Sequence, residues 1–129
     1  MLSRLQLGLE SSVGIGDSTA FGANVRLAMP ITRLGFGGVQ VGYHTAHTIE
    51  TALLAGVRVP LLADTAAVQL TVLGGAHGTA PFAGARLGLW LAWTPQWAIQ
   101  LDGGTTIERG FTDPAVTFTL GLSRLISWR

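Results

Sequence analysis

Residues 83–91 read Ala83-Gly84-Ala85-Arg86-Leu87-Gly88-Leu89-Trp90-Leu91. Every odd position is aliphatic, and the even positions hold two glycines, an arginine and a tryptophan. A helix would space its apolar residues three and four apart. A period of two instead places every second side chain on one face of an extended strand. One face of this strand is therefore uniformly aliphatic, while the other carries a full charge and little bulk.

The same alternation recurs along the chain. Upstream, Val68, Leu70 and Val72 alternate with Gln69 and Thr71, and 49–59 alternates Ile49, Thr51, Leu53, Ala55, Val57 and Val59 with Glu50, Ala52, Leu54, Gly56 and Arg58. Before these come Val39, Val41 and Tyr43 against Gln40, Gly42 and His44; Phe21 to Met29 against Gly22, Asn24, Arg26 and Ala28; and Leu5, Leu7 and Leu9 against Gln6, Gly8 and Glu10. Downstream, Ile99 and Leu101 alternate with Gln100 and Asp102, and Val116 to Leu122 with Thr117, Thr119, Gly121 and Ser123. The reading is eight strands in one domain over 1–129. Leu54 and Trp90 are apolar residues on the otherwise polar face. The phase around Phe36 is unsettled and predicts a bulge at Gly37-Gly38. The prolines, at 30, 60, 81, 95 and 114, fall at strand ends, where a missing N–H harms the ladder least.

Composition narrows the class. Of 129 residues, 12% are charged, about half the share usual in soluble proteins. Apolar residues make up 48%, which excludes a disordered chain. The eight cations are all Arg, the net charge is +1, and there is no basic surplus to bind nucleic acid. With no Cys, disulfides and thiolate metal sites are excluded. A membrane-spanning helix needs about 20 mostly apolar residues. The longest stretch without Asp, Glu, Lys or Arg, Thr65 to Ala85, contains Gln69, His77, Pro81 and four Gly, so it fails. Met1-Leu2-Ser3-Arg4 leads straight into patterned sequence, so no signal peptide is expected in this chain.

Eight strands close into a barrel in one of two ways, apolar inside for a soluble protein or apolar outside for a membrane one. The polar face decides between them. It carries Glu10, Asn24, Arg26, Gln40, His44, Glu50, Arg58, Gln69, Arg86, Gln100 and Asp102, only about one charge per strand, with many glycines between. A solvated wall would carry far more charge. Small residues suit the inside of a tight barrel, where strands bend sharply. The polar face is therefore read as the lumen. The band Leu7, Leu27, Val41, Leu53, Leu70, Leu89, Leu101 and Leu120 is read as facing lipid. Trp93, Trp97 and Trp128 fall at one end of an even-stranded antiparallel barrel, and Phe21, Tyr43 and Phe111 at the other, as two interfacial belts would.

With this pattern the chain resembles the small eight-stranded outer-membrane barrels of the OmpA and OmpX type. The resemblance covers all 129 residues and lies in pattern rather than in a diagnostic motif. It implies an antiparallel up-and-down transmembrane β-barrel in a bacterial outer membrane, with lipid bilayer or detergent as its partner and no cofactor. Trp93, Trp97, Trp128 and both termini would be periplasmic. The connections near 11–19, 45–48, 77–81 and 107–114 would be extracellular and short for the family. Family members end on an aromatic residue. Here Trp128 is followed by Arg129, and Arg124 interrupts the last strand's alternation. The short connections would also suit a designed or minimised barrel.

Candidate chemistry is sparse. His44, Thr45, His47 and Glu50 form a polar cluster, but the His-x-Ser run of the lipid-deacylating barrels is missing, and His77-Gly78-Thr79 has no acid close behind it. On a strand, His44 and His47 would point to opposite faces, which disfavours metal binding. Gly14-x-Gly16 and Gly35-x-Gly37-Gly38 lack the strand–helix setting of a phosphate loop. The expectation is a non-catalytic barrel of structural, scaffold or envelope-assembly role, with no metal or cofactor. Its rivals are a narrow passive channel and a soluble lipocalin-like small-molecule binder. Within the lumen, Arg86 is expected to pair with Asp102 and Glu50 with His44, while Arg58 has no acid directly across.

Overall fold

The computed structural model describes residues 5–15, 19–44, 48–62, 65–108 and 115–126. They form eight strands: β1 (Leu5–Ile15), β2 (Thr19–Pro30), β3 (Gly35–His44), β4 (Thr48–Leu62), β5 (Ala66–His77), β6 (Ala80–Ala92), β7 (Trp97–Glu108) and β8 (Ala115–Ile126). Each strand pairs with the next, all pairings are antiparallel, and β8 closes onto β1. Closure satisfies the backbone hydrogen bonds of every strand within the sheet. That is the condition a sheet must meet where no water can reach its edges.

The register fixes the shape. Stepping from Ala115 to Thr106, Gly84, Leu73, Leu54, Gly38, Ala28 and Gln6 returns to β8 at Leu125, ten residues along from the start. For eight strands that stagger corresponds to a tilt of about 40° and a backbone radius of roughly 8 Å. A tilted 12-residue strand then covers roughly 30 Å along the axis, enough for an apolar band about 25 Å tall.

The turns are built locally. Thr32 Oγ1 accepts from Gly35 N at 2.8 Å, and Ile31 N and Thr32 N donate to Gly35 O, closing β2 onto β3. Thr94 Oγ1 accepts from Gln96 N and Trp97 N at 3.2 and 3.0 Å, holding the Pro95 turn between β6 and β7. Gly78, at φ 63, supplies the left-handed residue that lets Gly78-Thr79 close β5 onto β6. The expected bulge at Gly37-Gly38 is absent. Both glycines pair in step with Met29 and Ala28 and with Ala55 and Leu54. The one register shift between β4 and β5 falls between Pro60 and Leu62, next to a residue with no N–H to give the ladder. Pro114 lies outside the described residues.

The two faces separate completely. Leu7, Leu27, Val41, Leu53, Leu70, Leu89, Leu101 and Leu120 are all exposed, Leu53 to 69%. Glu10, Arg26, Glu50, Arg58, Arg86 and Asp102 are all buried, none more than 6% exposed. An apolar wall of this extent is foreign to a protein surrounded by water.

Candidate functional site

Parity on each strand decides what enters the lumen. Even-numbered residues point inward on β1 to β4, β6 and β7, and odd-numbered ones on β5 and β8. Several of these positions hold glycine because the neighbouring strand is too close for a side chain. A Cβ on Gly88 would strike Leu101 O and Asp102 Oδ1, and one on Gly56 would meet Phe36 Cζ at 2.6 Å.

Glu10 is the hub of the polar interior. It accepts from Arg86 Nη1 at 2.8 Å, from Arg26 Nη1 at 3.3 Å and from Gln100 Nε2 at 3.3 Å. Arg26 also donates to Gln100 Oε1. Gln100 Nε2 donates to Asp102 Oδ2 at 2.7 Å, and Gln69 Nε2 reaches both Asp102 oxygens at 3.2 and 3.3 Å. Arg58 donates to Gln69 Oε1 through Nε and Nη2 at 3.1 and 3.0 Å, and to Gln6 Oε1 at 3.4 Å. One connected network thus crosses the lumen from Arg86 to Arg58. With three donors upon it, Glu10 is committed to holding arginines.

The pairing expected for Arg86 needs correction, while the one expected between Glu50 and His44 involves a side chain outside those described. Arg86 reaches across the barrel to Glu10 on β1 rather than diagonally to Asp102, whose oxygens are occupied by the amides of Gln69 and Gln100. Glu50 accepts from Gln40 Nε2 at 2.7 Å. It lies in register with Gly42 and His77, while His44 pairs with Thr48. Arg58 has two aromatic partners in addition to its glutamines. Its guanidinium carbon lies 4.5 Å from the Phe36 ring centroid and 4.8 Å from that of Trp90. Cation–π contacts and neutral carbonyl acceptors surround this buried charge, with no carboxylate in ion-pair reach among the described residues.

The lumen is unequal along its length. Toward the termini, Trp90, Ala67, Ala92, Ala98 and Leu125 pack into an apolar cluster next to Arg58. A second cluster, Ala52, Leu54, Leu73 and Phe82, lines one side of the loop-end half. Around it the inward positions are small and half-exposed: Ser12, Gly22, Gly42, Gly75, Gly104, Thr106 and Thr117. Asn24 Oδ1, Thr71 Oγ1, Thr119 Oγ1 and Arg86 Nε are buried without a hydrogen-bond partner among the described residues. The described inward positions are therefore small and half-exposed toward the β1–β2 and β3–β4 end and tightly packed toward the other. Buried polar groups of this kind hold ordered water.

On the outer wall, Phe21, Tyr43 and Trp93 are exposed near the strand ends, and Trp97 is half-buried beneath Arg124. Arg124 does not break the alternation. It points outward in step with Leu122 and Ile126. Phe111, Trp128, Thr45 and His47 lie outside the described residues. Among the plugging residues, sequence reasoning missed Phe36 and Phe82. Counting back in twos from Gln40 or from Gly84 reaches both.

No protein-family model matches the sequence, and no curated protein matches it. Solved structures do. A barrel described as a de novo design of transmembrane β-barrels superposes with a TM-score of 0.75 at 12% identity, covering 96% of each chain. The N-terminal β-barrel domain of Pseudomonas aeruginosa OprF gives 0.72 at 10% identity, covering 96% of this chain and 98% of that one. Neisserial surface protein A gives 0.57 at 10% identity, covering 97% and 96%. At such identities the likeness is one of fold: the eight-stranded closed antiparallel barrel.

Proposed function

We propose that the chain is a non-catalytic barrel that spans a membrane, a bacterial outer membrane in its natural setting, and acts as a structural scaffold or anchor. The observation that carries this reading is the inversion of the two faces. Glu10, Arg26, Glu50, Arg58, Arg86 and Asp102 are turned inward and buried, while leucine, valine and isoleucine cover the outside. A soluble lipocalin-like binder would need the opposite arrangement. The apolar cluster around Trp90 and the aromatic contacts of Arg58 support a closed lumen rather than a passive channel. The fold shared with an outer-membrane domain and with a designed transmembrane barrel supports the same solvent, and the role as scaffold accords with a lumen whose carboxylates are occupied by structural contacts.

The test is reconstitution. Refolded protein mixed with phosphatidylcholine vesicles should float with them on a density gradient and resist alkaline extraction. It should give no sustained current in a planar bilayer. A chain that stays monomeric in buffer without detergent would overturn the membrane reading, and steady single-channel currents would overturn the closed lumen.

A further inference from the structure

Charge on the outer wall is distributed unevenly. Among the described residues, the acids whose side chains are placed, Glu10, Glu50 and Asp102, are all buried in the lumen. The described arginines outside the lumen, Arg33 and Arg124, are both at the terminus end. Arg33 is in the β2–β3 turn and Arg124 two residues before the end of β8. Arg124 is the more unusual. In register it lies between Leu7 of β1 and Trp97 of β7, on the apolar wall itself. The ion pairs among the described residues are within the lumen, and Arg124 has no part in them.

What Arg124 does have is an aromatic support. Its guanidinium carbon stands 5.1 Å from the centroid of the half-buried Trp97 ring. A ring contact takes up none of the guanidinium's N–H donors in a bond to an acceptor oxygen, so its donors, held in a fixed fork, are left for another partner. That fork matches two oxygens of a phosphate. Next to it is the Trp93–Gln96 turn, pinned by Thr94 and by Leu125 N donating to Gln96 O at 2.7 Å, so the site sits on a rigid corner. Above it, Ile99 faces Leu122 and Leu101 faces Leu120 across the β7–β8 seam, all exposed. A phosphate at the corner and hydrocarbon along the seam describe a phospholipid.

We infer that Arg124, stacked on Trp97, binds the phosphate of an anionic lipid headgroup, whose acyl chains lie along the β7–β8 seam. This rests on the membrane reading above. The preference is for an anionic lipid because no described acid on the outer wall balances Arg33 and Arg124, and a zwitterionic headgroup would bring a further cation to the same corner.

The experiment uses native mass spectrometry of the refolded chain in detergent doped with equal amounts of phosphatidylglycerol and phosphatidylcholine. Each variant is first checked for unchanged strand circular dichroism. The parent should retain phosphatidylglycerol over phosphatidylcholine by roughly tenfold, the effect of about one charge-assisted bidentate contact. Arg124→Gln should bring the ratio near one, Trp97→Phe should keep most of it, and Arg33→Gln should leave it largely intact. A parent ratio near one overturns the site while leaving the membrane reading in place. So does a preference that survives Arg124→Gln and falls with Arg33→Gln. Retention of neither lipid, by a chain that is soluble without detergent, overturns both.

Discussion

Replacing Glu10 by Gln keeps the shape of the hub and removes its charge. In the parent, Glu10 meets two arginines at 2.8 and 3.3 Å. Two unit charges about 4 Å apart are worth roughly 4 kcal/mol at an effective dielectric near 20. Burying the carboxylate costs several kcal/mol in return, so the pairs do not contribute their full Coulomb value. Removing one partner is a different matter. Arg26, Arg58 and Arg86 would then share the connected network with Asp102 as its only acid. Stranding buried charge in this way costs about 3–5 kcal/mol. Urea unfolding in lipid vesicles, followed by tryptophan fluorescence, should show a loss of that size. The double variant Glu10→Gln/Arg86→Gln should recover part of it, with a coupling of about 0.5–3 kcal/mol. A single variant that unfolds within about 1 kcal/mol of the parent would refute the view that these ion pairs hold the interior.

Other positions test other parts of the barrel. Leu101→Arg, on the outer wall, should lower stability in vesicles by about 2–4 kcal/mol, whereas Thr79→Arg in the β5–β6 turn should change it by less than about 1 kcal/mol; equal urea midpoints would reverse the face assignment. Trp90→Ala removes the largest fully buried side chain from the tightly packed end, so small currents should appear in planar bilayers where the parent is silent, and continued silence would move the seal elsewhere. Gly88→Ala drives a Cβ into Leu101 O and should cost about 1–3 kcal/mol or prevent refolding; a variant as stable as the parent would show that β6 and β7 are farther apart than described.

Strand number, face and the inward turn of the charges were legible because each follows from a period of two, which needs only neighbours in sequence. Leu101 and Asp102 take opposite faces whatever the rest of the chain does. The partners of the charges were not legible for the complementary reason. Arg86 and Glu10 lie on β6 and β1, two strands apart from adjacency, and they meet only because a ten-residue stagger brings those strands to facing sides at matching heights. No hairpin argument contains that stagger. The same holds for one aromatic partner of Arg58: Trp90 lies on β6, beyond the adjacent β5, whereas Phe36 is diagonally across on the neighbouring β3. Phe36 was obscured locally, since Gly35-Phe36-Gly37-Gly38 offers a single side chain from which to read a phase.

The inward glycines toward the β1–β2 and β3–β4 end limit what the barrel can become. A Cβ at Gly42, Gly75 or Gly104 would run into the carbonyl oxygen of Ala23, Thr51 or Ala85 on the adjacent strand. At these three positions main chain, rather than a side chain, faces the lumen, and substitution there has no room in which to narrow or recharge it. Any discrimination between solutes at that end has to arise elsewhere: from side chains such as Ser12, Asn24, Glu50, Thr106 and Thr117, or from the connections between strands. Those connections are the part of the molecule that new recognition can be written into without disturbing the staves.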